Sequence, residues 1–107
     1  MHLVSEWTET VAGIDNATAT ATHPAPASNQ CHYVTSISAS FSAAVAGKLL
    51  TLKDGNTVIG NYYVHNQRDI PLPKPLRITN GNAVSLVLAA SGVGGQLGAV
   101  TLKGFTR

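Results

Sequence analysis

The sequence predicts one all-β domain, a β-sandwich or jelly roll with an extended N-terminal arm, and three observations predict it. Short apolar segments recur between turn residues, the best of them alternates strictly with period two, and no stretch carries a convincing amphipathic helical stripe. At 107 residues the chain is the size of a single core. The arm is expected over residues 1–29 and the sandwich over residues 30–107.

The arm differs in character from the rest of the chain. Trp7 stands alone among polar neighbours, and the run from Asn16 to Thr22 alternates Ala with Thr before His23-Pro24-Ala25-Pro26. Such a run can be extended, but small side chains bury little area and need a neighbouring surface to hold them. Pro24 and Pro26 disfavour helix and separate the arm from the core.

From Cys31 to Phe41 the odd positions are Cys31, Tyr33, Thr35, Ile37, Ala39 and Phe41, of which only Thr35 is polar. Of the even positions through Ser42, only Val34 is apolar. This alternation predicts a strand with one face on a core and the other on solvent or a polar interface. A helical reading exists at Phe41, Ala44, Val45 and Leu49, but Gly47 and the nearby serines oppose it, so 43–47 is expected as a connection.

Leu49 to Lys53 and Thr57 to Val64 flank Asp54-Gly55-Asn56, whose Asp-Gly step tolerates the positive φ of a tight hairpin. The second strand is apolar on both faces, with Val58, Tyr62 and Val64 expected on one side and Ile59 and Tyr63 on the other. Ala83 to Ala90 behaves likewise, Val84, Leu86 and Leu88 opposing Val87 and Ala89. Strands apolar on both faces must be covered twice, once by the opposite sheet and once by the arm or a neighbouring subunit. Between them Pro71, Pro73 and Pro75 alternate, which excludes a central strand and favours an edge. Asn80-Gly81-Asn82 and Ser91-Gly92-Val93-Gly94-Gly95 read as turns, the latter leading into a last strand from Leu97 to Phe105.

Charged residues make up 11% of the chain, where about 25% is usual. A monomer of this mass exposes roughly 5,700 Å², so each formal charge would serve about 470 Å². A surface so poor in charge favours association with copies of itself or with a partner. The seven Lys and Arg residues are scattered singly from Lys48 to Arg107, without the basic stripe or interleaved aromatics of a nucleic-acid surface.

No apolar run approaches the ~18 residues of a membrane helix. Met1-His2-Leu3, followed by Glu6 and Glu9, does not read as a secretory signal. One cysteine, Cys31, allows no internal disulfide and is expected to be a buried thiol.

Chemistry is harder to find. His2, His23, His32 and His65 never fall at metal-ligand spacing, and the thiolate options are missing. His65 and Asp69 read as a turn-stabilising pair rather than an acid and base. No serine sits in a Gly-x-Ser-x-Gly elbow, and the five carboxylates, Glu6, Glu9, Asp15, Asp54 and Asp69, form no evident pair. The glycine-rich run from Gly92 to Gly98 lacks the register and following helix of a phosphate loop. No enzyme activity, cofactor or metal is therefore expected.

His32-Tyr33-Val34-Thr35, Leu50-Thr51-Leu52-Lys53-Asp54-Gly55, Val64-His65-Asn66-Gln67-Arg68-Asp69-Ile70 and the run from Gly81 to Gly92 together resemble small virion proteins of tailed bacteriophages. Those proteins are similar to trimeric jelly rolls of the tumour-necrosis-factor type and include capsid decoration, or cement, proteins. The resemblance implies a homotrimer bound to the phage major capsid protein on the virion surface, made in the host bacterial cytoplasm, without nucleic-acid or membrane partners. It implies that Trp7, on the arm, reaches across the capsid, and that strands bearing Tyr62 and Tyr63 pack about the threefold axis. Ile59 and Val87, on the second faces of their strands, complete the expected interface. The alternative is a tail or fibre protein recognising a bacterial surface glycan, for which aromatic side chains at loop tips would be the signal.

Overall fold

The computed structural model describes residues 4–107. Eight strands run in the order β1 (Ser5–Asp15), β2 (Ala19–His23), β3 (His32–Phe41), β4 (Lys48–Asp54), β5 (Thr57–Val64), β6 (Gln67–Arg77), β7 (Val84–Leu88) and β8 (Leu97–Thr106). The described residues contain no helix.

The pairing obeys a single rule. β4 pairs with β5 across a tight turn, and outward from it β3 pairs with β6, β2 with β7 and β1 with β8, all antiparallel. The chain is therefore one long hairpin with its tip at Asp54-Gly55-Asn56. Rolling that hairpin adds the pairs β3·β8 and β4·β7 and splits it into two four-stranded sheets, β1-β8-β3-β6 and β2-β7-β4-β5. This is the winding of an eight-stranded jelly roll. Gly55 at the tip has φ +59°, the left-handed conformation that an Asp-Gly step favours.

The core lies between the sheets. Val34, Ile37, Phe41, Val100 and Leu102 of the first sheet face Leu50, Leu52, Val64, Val84, Leu86 and Leu88 of the second. Each such aliphatic side chain contributes about 1.5–3 kcal/mol on leaving water. The proline strand β6 is an edge, as its composition predicts, and its ladder with β3 is interrupted between Pro71 and Leu76, where prolines have no N–H to donate.

Three expectations are corrected. Residues 5–23 are extended but do not stand apart as an arm: β1 is an edge of the first sheet and β2 an edge of the second. Ala19 and Ala21, each 1% exposed, close the core against Leu88 and Leu86, while Thr20 and Thr22 point out. The surface that the small Ala/Thr strand needs is β7 of its own domain. Residues 1–3 of the expected arm lie outside the described residues.

The period-two pattern of β3 is also broken. A bulge between Val34 and Ser36 shifts the register, so His32 and Val34 point inward before it and Ile37, Ala39 and Phe41 after it. An inserted residue reverses the parity of everything beyond it. A second bulge at Leu52/Lys53 puts Val58 opposite Lys53, on the outer face rather than beside Tyr62 and Val64.

Gly104 marks the tightest approach in the first sheet. A Cβ there would collide with the Tyr33 carbonyl and with the Trp7 ring, so only glycine lets β8 pass between β1 and the bulge of β3.

Candidate association surface

In a two-layer sandwich each sheet turns its second face outward, and in this chain those faces differ in chemistry. On the first sheet, Thr8 and Thr10 of β1, Thr101 and Lys103 of β8, Ser36, Ser38 and Ser40 of β3, and Gln67 and Asp69 of β6 share the outer side. On the second, Thr20, Thr22, Ser85, Val87, Leu49, Thr51, Lys53, Val58, Asn61 and Tyr63 do so, with Ile59 at the bulge. Lys53 is the one charged side chain in that set.

Towards β5 this second face becomes apolar. Tyr63 is 61% exposed, Val58 47%, Leu49 39% and Ile59 39%. Leu49 and Tyr63 are direct cross-strand partners, and Val87 is reached across Thr51. Together they leave on the order of 300 Å² of apolar side chain in water, worth about 7 kcal/mol if fully covered. Arg68 stands at the rim, its guanidinium 5.5 Å from the Tyr62 ring centre and donating to the Tyr63 carbonyl at 3.1 Å.

Of the five residues expected at an interface, Ile59, Tyr63 and Val87 lie on this face. Tyr62 points the other way, half-buried against the core. Trp7 is also turned inward: it packs on the core, its indole N–H donates to Thr106 Oγ1 at 3.0 Å, and its ring stacks on His23 at 4.2 Å. The sequence pattern does not single out Leu49 and Val58. Leu49 stands next to Leu50 with no alternation to tell their faces apart, and Val58 changes sides through the bulge.

Around Trp7 is a polar cluster at one end of the sandwich. His32, 1% exposed, donates from Nε2 to the Pro24 carbonyl at 2.7 Å, and its Nδ1 lies 2.6 Å from Thr106 Oγ1. His23 lies edge-on to His32 with ring centres 4.7 Å apart and meets Glu9 Oε2 at 2.7 Å. Burial pushes the His32 pKa below its ordinary value, and neighbouring His23 adds to the lowering against the opposing pull of the Pro24 hydrogen bond.

At the C-terminal end of β4, in the same row across β7 as His23, Asp54 accepts from the Thr79 N–H, the Thr79 hydroxyl and the Asn82 amide at 3.0, 2.7 and 2.9 Å. Desolvation would raise its pKa, but these bonds from Asn82 and Thr79 prevail and hold it below the usual carboxylate range. Both groups are tied up structurally. No three His, Cys, Asp or Glu side chains converge at metal-binding distance among the described residues.

A shallow groove of about 360 Å³ crosses the first sheet between Glu6, Thr8, Thr35, Lys103 and Phe105. Phe105 is stacked on Tyr33 with ring centres 5.0 Å apart.

Neither a family model nor a curated protein matches the chain. Among solved structures, it superposes on a chain of the cyanophage Pam1 capsid asymmetric unit with a TM-score of 0.52 and 12% identity, over 96% of this chain and 84% of that one. It also overlaps dimeric latent PorU from Porphyromonas gingivalis with a TM-score of 0.42 and 13% identity, over 94% of this chain but 13% of that one, too slight a likeness to build on. At 12% identity the first match shows a shared all-β fold along nearly the whole chain.

Proposed function

We propose that this chain is a structural virion protein, a capsid decoration protein that associates as a homotrimer and binds the major capsid protein, acting through contact rather than catalysis. The observation that carries this reading is the outer face of the second sheet. Leu49, Val58, Ile59, Tyr63 and Val87 lie there with Lys53 as the one charge, although folding of the monomer requires nothing apolar at those positions. Covering such a face with other copies removes from water what the monomer leaves exposed. The likeness to a chain of a phage capsid asymmetric unit supports the setting.

Decoration adds buried contact between shell subunits, and binding to the assembled state alone stabilises that state by mass action. The likeness to a chain of a phage capsid unit favours a place on the capsid over a place on a tail fibre, a choice that the phage-type features quoted from the sequence leave open. The aromatic residues agree, since Tyr33 and Phe105 stack on each other within the first sheet rather than presenting rings at loop tips.

The test is to add purified protein to undecorated shells of the phage that carries it and to sediment the particles. Saturable binding in whole-trimer increments, with a raised disruption temperature, is the expected result. Shells that leave the protein in the supernatant would refute the capsid role, and retention on a host-surface glycan column in that case would favour the fibre reading.

A further inference from the structure

The cluster of half-buried Trp7, His23 and Thr106 around the buried His32 lies apart from the candidate association surface, and its hydrogen bonds have a fixed direction. The Pro24 carbonyl can only accept, so His32 Nε2 carries the proton. In the neutral ring Nδ1 is then an acceptor, and the Thr106 hydroxyl must donate to it. That leaves a Thr106 oxygen lone pair for the Trp7 indole N–H. One directed chain, Trp7 to Thr106 to His32 to Pro24, thus joins β1, β8, β3 and the segment after β2.

We propose that this chain is an acid-sensitive latch, in which a proton arriving on His32 Nδ1 releases the N-terminal strands β1 and β2 from this end of the sandwich. The proton would place an N–H against the Thr106 hydroxyl that now donates to it. Thr106 would have to turn its hydrogen elsewhere while its oxygen received two donors. His32 would also hold a charge at a site with 1% exposure.

Among the described residues, no free carboxylate meets that ring to compensate the charge. From β1, Glu9 is engaged with His23 at 2.7 Å. From β2, His23 is the facing titratable group, its ring centre 4.7 Å from that of His32, and its influence opposes a charge on His32. On β6, Arg77 is directed to Cys31 Sγ and Asn80 Oδ1. β8 brings Thr106 to the ring, while Lys103 lies on the outer face of the sheet.

Because the native group binds its proton less readily than the unfolded one, the latch is intact above about pH 6.5. Its stabilisation is lost as the pH falls from there through the lowered native value.

Trp7, the only tryptophan, reports the event directly. The full-length protein is titrated from pH 8 to pH 4 while indole emission is followed, and the His32 ring is titrated by NMR in the same samples. The latch predicts a ring that titrates below pH 6.5 and an emission shift to the red when it charges. In His32→Gln, whose amide can donate to Pro24 and accept from Thr106 without titrating, the shift should be absent over the same range. A His32 ring that titrates at or above about 6.5 in the folded wild type, or an identical acid shift in His32→Gln, would overturn the proposal. Should the variant not fold, the wild-type ring titration decides alone.

Discussion

The outer faces of the two sheets are built from the same hairpin, yet the first is mainly polar, with the Tyr33–Phe105 stack at one end, and the second carries an aliphatic and aromatic patch towards β5. On the first, Ser36, Ser38, Ser40, Thr8, Thr10 and Thr101 face water beside Lys103 and Asp69. On the second, Leu49 sits beside Tyr63, and Val58 and Ile59 extend the patch. Folding requires one apolar face per sheet, and both sheets have it in the shared core. The second apolar face of β4 and β5 is thus surplus to the monomer, and it is the surface the proposed association would cover.

The largest expected effect comes from removing the frame that both faces share. Deletion of residues 1–22 takes the edge strand β1 and most of β2, so each sheet loses an edge. With them go the half-buried Trp7, Val11 and Ile14, at about 1.5–3 kcal/mol each, and two hydrogen-bonded ladders. Against the roughly 5–15 kcal/mol of a typical domain this should abolish cooperative unfolding in a thermal scan. A truncated chain that still melts sharply would show that these strands are an accessory.

Next is Tyr63→Arg, which puts a charge at the centre of the apolar patch. Assembly should be lost entirely while the monomer keeps its fold, because Tyr63 makes no core contact, and light scattering gives the mass. Asp54→Ala ranks third, losing three hydrogen bonds at the hairpin end. The expected cost is roughly 1–2 kcal/mol in denaturant titration. In the wild type that contribution is present above about pH 3.8 and disappears as the pH falls through the lowered native value of Asp54. The smallest effect sharpens the contrast: Ser38→Lys on the hydroxyl face should change stability by less than about 0.5 kcal/mol and leave the mass unchanged.

What the sequence disclosed, and what it concealed, depends on which signals are local. Asp54-Gly55 announced the hairpin tip, and Pro71, Pro73 and Pro75 announced an edge, because both act through their own backbone. The Ala/Thr run disclosed extension but not its partner, since β7 lies more than sixty residues downstream. The bulges at Thr35 and beside Ile59 left no mark, because one inserted residue changes the parity of a strand without changing its composition.

That is why His32 read as outward and is buried, and why Val58, read as sharing a face with Tyr62 and Val64, is on the opposite, exposed one. Of the residues expected at an interface, Ile59, Tyr63 and Val87 lie on the outer face of the second sheet, a placement legible from strands apolar on both sides. Trp7 looked unattached because its partners, His23, His32 and Thr106, come from three other strands.

Sedimentation equilibrium of the wild-type chain and of Tyr63→Arg, across a hundredfold range of concentration, tests most directly whether the aliphatic face exists to be covered. A wild-type mass of three chains and a variant mass of one is the result expected. A wild type that stays a single chain at the highest concentration, with the variant indistinguishable from it, would contradict the account.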